Sequence, residues 1–280
     1  MVPTCVAIHD LCSYSKSSLS VVIPTLEALG VEVCPLVSSL LSSQTDGFDS
    51  YYFEDKTETL EKILTVWESL DLSFDSIYSG FLGSCHQIQI IENLIARQKK
   101  KGQVLVVVDP VLGDEGTMYG PVDVSLVEHM RMLITHSDVI TPNTTEAALL
   151  LNRPYQSIFT QDEIYRWARE LAMLGPSRVL VTSVRLVDSL AVAYCDEGTC
   201  GLVPYKELKA SYPGSGDLFA SLLTGLLVNK VPFLTAVSRA VDLCSLALQR
   251  TAQEGYERRH GVAPLLIIPD IVKERMLYVR

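Results

Sequence analysis

Val104–Asp109 reads VLVVVD. Five apolar, mainly β-branched residues with no polar alternation describe a strand covered on both faces, and a carboxylate stands where the strand ends. Runs of the same kind recur as CVAIH (Cys5–His9), VEVCPLV (Val31–Val37), DSIYSG (Asp75–Gly80), DVITP (Asp138–Pro142) and RVLVTS (Arg178–Ser183). Between them lie helical periods. TETLEKILTVWESL places Leu60, Ile63, Leu64 and Trp67 at i, i+3, i+4 and i+7, and QIQIIENLIARQ places Ile88, Ile91 and Ile95 on one face. Strands alternating with helices pair mostly in parallel through right-handed crossovers. The expected fold is therefore α/β, a three-layer α/β/α sandwich around a mostly parallel central sheet. LAVAYCDEGTCGLVPY (Leu190–Tyr205) breaks the alternation and reads as a hairpin turning at Asp196–Thr199, an antiparallel addition at one edge. Two helices follow, one beginning near Ser215 and one near Pro232. No Pro-, Gly- or Ser-rich linker and no repeat interrupts the pattern, so residues 1–280 are expected to form a single domain.

The composition excludes several classes of function. A chain of 280 residues, 48% hydrophobic, can bury a full core. Its apolar runs fall far below the roughly 18 residues that span a bilayer, and MVPTCVAIHD lacks the basic-then-apolar order of a secretory signal. No membrane association and a cytoplasmic location are expected. The net charge of −10 opposes nucleic-acid binding, which depends on Lys and Arg neutralising phosphates. The one basic run, Arg97–Lys101, sits where a helix ends and complements its dipole. The seven cysteines contain no C-x-x-C pair. Cys195 and Cys200 are expected to face each other across the hairpin as reduced thiols.

In open α/β sheets, ligands bind beyond the carboxyl ends of the strands, so polar residues placed there carry the functional question. Five stretches qualify: AIHDLCSYSK (Ala7–Lys16), VVDPVLGDEG (Val107–Gly116), ITPNTTEA (Ile140–Ala147), VLVTS (Val179–Ser183) and YPGSGD (Tyr212–Asp217). In the last, Gly214 and Gly216 allow positive φ and close approach to a ligand, while a helix starting at Ser215 directs unpaired N–H groups into the turn. That is an anion hole. Asp217 beside it is then a base or positioning group held ionised by the dipole, although Ser215 and Asp217 also suit a plain helix cap. Asp109 and Asp114 can converge on Mg²⁺ through its waters, and turn chemistry explains the same letters. Asn143 and Glu146 have the spacing of a capping box and equally suit contacts to phosphate and metal-bound water. The histidines show neither H-x-x-x-H nor H-E-x-x-H spacing. The chain has no Walker A sequence, no G-x-S-x-G elbow, and no G-x-G-x-x-G after the first strand.

Taken in order, H-D at the first strand end, YSGFLGS (Tyr78–Ser84), VVDPVLGDEG, VITPNTTEA, VLVTS and PGSGDLFAS resemble the pyridoxal and pyridoxamine kinases of the ribokinase-like superfamily over nearly the whole chain. The bacterial pyridoxamine kinase branch, with H-D-L-S-G-F-G-R in its first loop, is the most similar. The resemblance implies transfer of the ATP γ-phosphoryl group to the 5′-hydroxymethyl of a vitamin B6 vitamer. It implies Asp217 as catalytic base and Gly214, Ser215 and Gly216 as the anion hole. It further implies Asp109, Asp114 and Glu146 as the acidic positions that organise Mg²⁺, with a monovalent cation such as K⁺ nearby. Asn143, Thr182 and Ser183 match ATP phosphate contacts, and Asp10, Thr45 and Phe81 match contacts to the vitamer ring. A homodimer is also implied.

The chain departs from that pattern in places. Cys12–Lys16 reads CSYSK where related loops carry glycines, so positive φ is harder to reach there and vitamer preference is left open. Gln44 replaces a usual histidine, and Ser215 replaces the threonine of G-T-G-D while keeping a hydroxyl. Sugar kinases of the superfamily carry a Gly-Gly lid pair and D-T-x-G-A-G-D, both absent here. Hydroxymethylpyrimidine kinases of thiamine synthesis commonly have cysteine at the position of Asp217. A catalytically idle vitamer- or nucleotide-binding protein is the non-enzyme alternative, and it would have no physical need for a carboxylate beside a phosphate site.

Overall fold

The structure, a computed structural model, describes residues 2–120, 122–208 and 211–278. The elements begin with β1 (Thr4–Tyr14), α1 (Leu19–Ala28), β2 (Glu32–Ser43), β3 (Phe53–Asp55), α2 (Thr57–Ser69) and β4 (Ser76–Ser79). They continue with α3 (Cys85–Lys101), β5 (Leu105–Val108), β6 (Gly113–Asp114), β7 (Thr117–Met118), α4 (Val124–Ile134), β8 (Val139–Ile140), α5 (Thr144–Leu150) and α6 (Gln161–Ala172). The remainder is β9 (Arg178–Arg185), β10 (Leu190–Asp196), β11 (Thr199–Tyr205), α7 (Ser215–Val228), α8 (Phe233–Gln253) and α9 (Ile268–Tyr278). Contacts divide the chain into two compact units, Met1–Tyr78 with Leu208–Arg280, and Ser79–Glu207.

In the first unit β1 pairs in parallel with β2, β2 pairs antiparallel with β3, and β4 lies on the other side of β1. The consecutive residues Cys5, Val6, Ala7 and Ile8 point alternately to the two faces of the sheet, and all four are inaccessible. Both faces are therefore covered. Helix α1 packs on β1 and β2, α2 packs on β2, and α7 packs between α1 and α8. The first strand is longer than its apolar run suggests. It continues through LCSY to Tyr14 because β2 also extends, to Ser43, and supplies backbone partners. The register against β2 slips between His9 and Leu11, which puts Asp10 at a bulge rather than at a strand end. Bulges re-aim side chains, and this one carries a predicted site residue.

In the second unit the strand order is β11-β10-β9-β8-β5, with β5, β8 and β9 parallel and β9, β10 and β11 antiparallel. Val106–Val108 and Val179–Val181 are inaccessible throughout, as runs buried on both faces must be. The predicted hairpin turns at Glu197 and Gly198, both at positive φ (48° and 87°), the pairing that matches strand twist. Cys195 and Cys200 stand opposite each other there, both free, with Sγ atoms 2.9 Å apart. Helices α2 and α3 lie where the periodicity puts them, and Lys99–Lys101 occupy the last turn of α3. The architecture is α/β, with mixed, mostly parallel strands, helices on both sides and an antiparallel hairpin. Among the described residues, no helix is long and apolar enough to cross a membrane.

Candidate active site

The YPGSGD turn resolves in the first unit. Gly214 is the N-cap of α7 at φ 81°, and a Cβ there would stand 2.8 Å from the Lys16 carbonyl oxygen, so the position admits only glycine. No side chain caps the helix. The side-chain-cap reading therefore falls; the Ser215 N–H makes a long bond of 3.4 Å to the Tyr212 carbonyl, and the start of the helix still directs its amides into the turn. Asp217 turns away from its own helix: Oδ2 accepts a hydrogen bond from the Ser18 N–H at 2.8 Å. Burial pushes its pKa up to about 7, the nearby Asp10 charge adds to the rise, and the Ser18 amide opposes it. The dipole alone suggested a carboxylate ionised well below neutrality. Desolvation outweighs it, and the group titrates close to neutral pH.

Asp10, nearly buried, lies in the same cluster. Its Oδ1 accepts from the Ser18 hydroxyl at 2.5 Å and its Oδ2 from the Cys12 thiol at 3.3 Å, while burial raises its pKa. Ser18 thus serves both carboxylates, one through its amide and one through its hydroxyl. Sequence reasoning missed it, since nothing marks a serine whose partner lies 199 residues away. The glycine-poor loop also reaches the backbone shape that its letters disfavour, with Ser15 at φ 69° and Ser18 at φ 50°. The Lys16 N–H donates to the His260 carbonyl at 2.9 Å, and Gln44 Nε2 donates to the Arg259 carbonyl at 3.0 Å. These bonds tie down the loop and the segment after β2. Ser215 is half-buried in the turn, Gly216 is exposed, and Thr45 is exposed two residues beyond β2.

The second unit holds an acidic cluster. Asp109 follows β5 and accepts from the Thr141 hydroxyl at 3.0 Å. Glu146 is at the third position of α5, where Oε2 accepts from the Asn143 N–H at 2.7 Å and Oε1 from the Leu112 N–H at 3.2 Å. The Asn143 side chain accepts in return from the amides of Thr145 and Glu146, a complete capping box. Its Nδ2 donates to the Gly113 carbonyl at 2.8 Å, so the same residue anchors the β6–β7 hairpin. Asp114 is exposed on that hairpin, whose turn residues Glu115 and Gly116 have φ 47° and 81°. Burial raises the Glu146 pKa well above its ordinary value, and the charges of Asp109 and then Asp114 add to it.

Among the described residues no three His, Cys, Asp or Glu side chains converge as direct metal ligands. A cluster of carboxylates that repel one another nevertheless fits Mg²⁺, which keeps several of its waters and takes one or two carboxylates. Thr182 bridges to Asn143, its amide donating to the Pro142 carbonyl at 2.8 Å. Ser183, exposed at φ 56°, follows in a bulge where β9 slips against β10. Phe81, between β4 and α3, is half-buried.

A family model described as phosphomethylpyrimidine kinase matches residues 22–264. A Bacteroides thetaiotaomicron protein assigned to the phosphomethylpyrimidine kinases, solved in a crystal form with pyridoxal, is 36% identical with a TM-score of 0.90, covering 100% of this chain and 98% of that one. The pyridoxal kinase from Lactobacillus plantarum is 31% identical, with a TM-score of 0.90 and 100% coverage of both chains. The pyridoxal kinase of Homo sapiens is 28% identical over 253 residues, 81% of this chain and 78% of that one. A Schizosaccharomyces pombe relative, C18.10, is 31% identical over 159 residues, a match that spans 45% of that protein.

Proposed function

The chain belongs to the phosphomethylpyrimidine kinase family and, with the pyridoxal kinases, to the ribokinase-like superfamily, and on that premise we propose that it phosphorylates a vitamin B6 vitamer. The γ-phosphoryl group of ATP passes to the 5′-hydroxymethyl of pyridoxal, pyridoxamine or pyridoxine. The observation that carries this reading is Asp217, a largely buried carboxylate with a pKa of about 7 at the start of α7, where no side chain caps the helix. A base works best when its pKa lies near the operating pH, and phosphoryl transfer asks the protein mainly for positioning and charge stabilisation.

In this reading Asp217 takes the hydroxyl proton, and the amides of Gly214, Ser215 and Gly216 receive the phosphoryl group. Asn143, Thr182 and Ser183 hold the ATP phosphates. Asp109, Asp114 and Glu146 hold Mg²⁺ through its water shell, with K⁺ as a second cation. The metal supplies neutralisation of phosphate charge. Asp10, Thr45 and Phe81 contact the ring. Residues 1–280 act as one kinase domain in a cytoplasmic homodimer. The retained Asp217 and the pyridoxal kinase relatives favour B6 vitamers over hydroxymethylpyrimidine.

Purified protein with Mg-ATP is expected to release ADP on addition of any of the three vitamers. Turnover of hydroxymethylpyrimidine and of none of the three overturns the proposal.

A further inference from the structure

His9 is fully buried on β1, and neither of its ring nitrogens has a hydrogen-bond partner. A neutral imidazole carries one N–H and one lone pair, and an interior that leaves both unmatched bears a desolvation cost that native structures seldom carry. Packing does not account for the residue. The ring meets Tyr78 edge-on, with centroids 4.5 Å apart at 73°, a contact that an apolar aromatic would make as well. Its polar neighbour is Asp217: Nδ1 lies 3.7 Å from Oδ1, the oxygen that the Ser18 amide does not hold. That distance exceeds a hydrogen bond, and catalytic hydrogen bonds are often long until the reacting complex forms.

The surroundings decide which form of the ring is present. Burial lowers the His9 pKa to about 3, so the ring is neutral at working pH. The ionisable groups around the pair are Asp10 and Cys12 on β1, Tyr78 on β4, and Asp217 itself on α7, none of which brings a positive charge. A neutral donor is then the one means on β1 of favouring the ionised carboxylate against its burial and against Asp10.

We infer that His9 is a positioning residue for Asp217: its Nδ1–H closes onto Oδ1, fixes the carboxylate between itself and the Ser18 amide, and favours the ionised form without adding net charge. The inference rests on the reading of Asp217 as the base.

Three variants of the full chain separate this role from packing. His9→Phe keeps a ring against Tyr78 and removes the donor, His9→Asn places an amide nitrogen where Nδ1 stands, and His9→Gln reaches the Nε2 position instead. Two readouts apply. One is a ¹³C NMR titration of the Asp217 carboxyl, assigned by its loss in Asp217→Asn, and the other is the pH profile of kcat and kcat/KM with pyridoxal. In His9→Phe the Asp217 titration is expected to rise by about one pH unit, the acid limb to move with it, and kcat to fall about tenfold with KM unchanged. His9→Asn recovers most of each effect, and His9→Gln behaves like His9→Phe; that pair decides the matter if His9→Phe does not fold. An unmoved titration, or equal shifts in the Asn and Gln variants, overturns the inference. A change confined to the vitamer KM also overturns it and assigns the ring to substrate contact. Wild-type protein that turns over no vitamer refutes the kinase reading, while the NMR titration still decides the role of His9.

Discussion

Asp217 and Glu146 occupy the same helix position, the third residue after an N-cap, one in each compact unit, and they are held in opposite ways. Glu146 is long enough to reach back to its own cap, and Asn143 offers a side chain that answers it, so both of its oxygens take backbone amides. Asp217 is one methylene shorter, and its N-cap is Gly214, which has nothing to offer. Its carboxyl turns to Ser18, a residue distant in sequence, and one oxygen remains open. An oxygen without a fixed donor can accept a proton. A carboxylate with both oxygens fixed beside Asp109 is instead held in one place, and a cation with its waters would offset the burial and repulsion that raise its pKa. In the proposed mechanism the same position on a helix therefore gives two roles, separated by a methylene and by what the cap can do.

The sharpest way to break the contrast is to remove the open oxygen. Asp217→Ala is expected to lose about 10²-fold or more in kcat while ATP affinity and folding persist, as for the removal of a general base. A single-turnover assay beside nucleotide binding checks it, and near-normal turnover would take Asp217 out of the mechanism. Glu146→Gln tests the other side. Glutamine serves a capping box through its one acceptor oxygen, so α5 should keep its start, while the Leu112 N–H loses its acceptor and the melting temperature should fall slightly. The lost charge is expected to raise the Mg²⁺ concentration needed for half-maximal rate by about tenfold, read from a Mg²⁺ titration at saturating ATP. An unchanged Mg²⁺ requirement would reduce Glu146 to a cap.

The two roles also predict different pH behaviour. Because Asp217 must be ionised to accept a proton and titrates at about 7, kcat/KM should rise with pH and level off above about 7 to 8. A rate flat from pH 5.5 to 8.5 would mean that another group takes the proton.

The capping box was legible in the sequence because both partners lie within one turn: Asn143 and Glu146 need only their spacing. The strand and helix pattern was legible for the same reason, since burial on both faces leaves runs like VLVVVD with no polar alternation. Long-range partners were not. Nothing in HDLCSY announces that the strand continues past His9, because the continuation depends on the extension of β2 to Ser43. Nothing ties Ser18 or His9 to Asp217 except the fold, and the spacing of His9 to the other histidines carries no motif. The glycine-poor CSYSK loop and the two residues after it show the converse, a backbone shape that the letters disfavour. Positive φ is met at Ser15 and Ser18, where the surrounding contacts over-determine the backbone.

The smallest expected effect concerns stability. The folded-state pKa of Asp217, about 7, lies above the ordinary 3.8. The native state thus binds its proton more tightly than the unfolded chain does. Stability from this group is fully present below about pH 4 and is lost as pH rises through 7. At pH 8 wild-type protein holds an ionised carboxylate that would be better solvated unfolded, a linkage cost bounded at about 4 kcal/mol. Asp217→Asn removes the charge and keeps an acceptor for the Ser18 amide. It should therefore be more stable than wild type at pH 8 by roughly 1–3 kcal/mol, the remainder going to the burial of its own amide. The gap should narrow toward pH 5, where the wild-type carboxyl is already protonated. Denaturant titrations at the two pH values read it directly. A variant equally stable at both would mean that the carboxylate is better solvated than its burial suggests, and the base would then resemble a surface carboxylate with an acid limb well below neutrality.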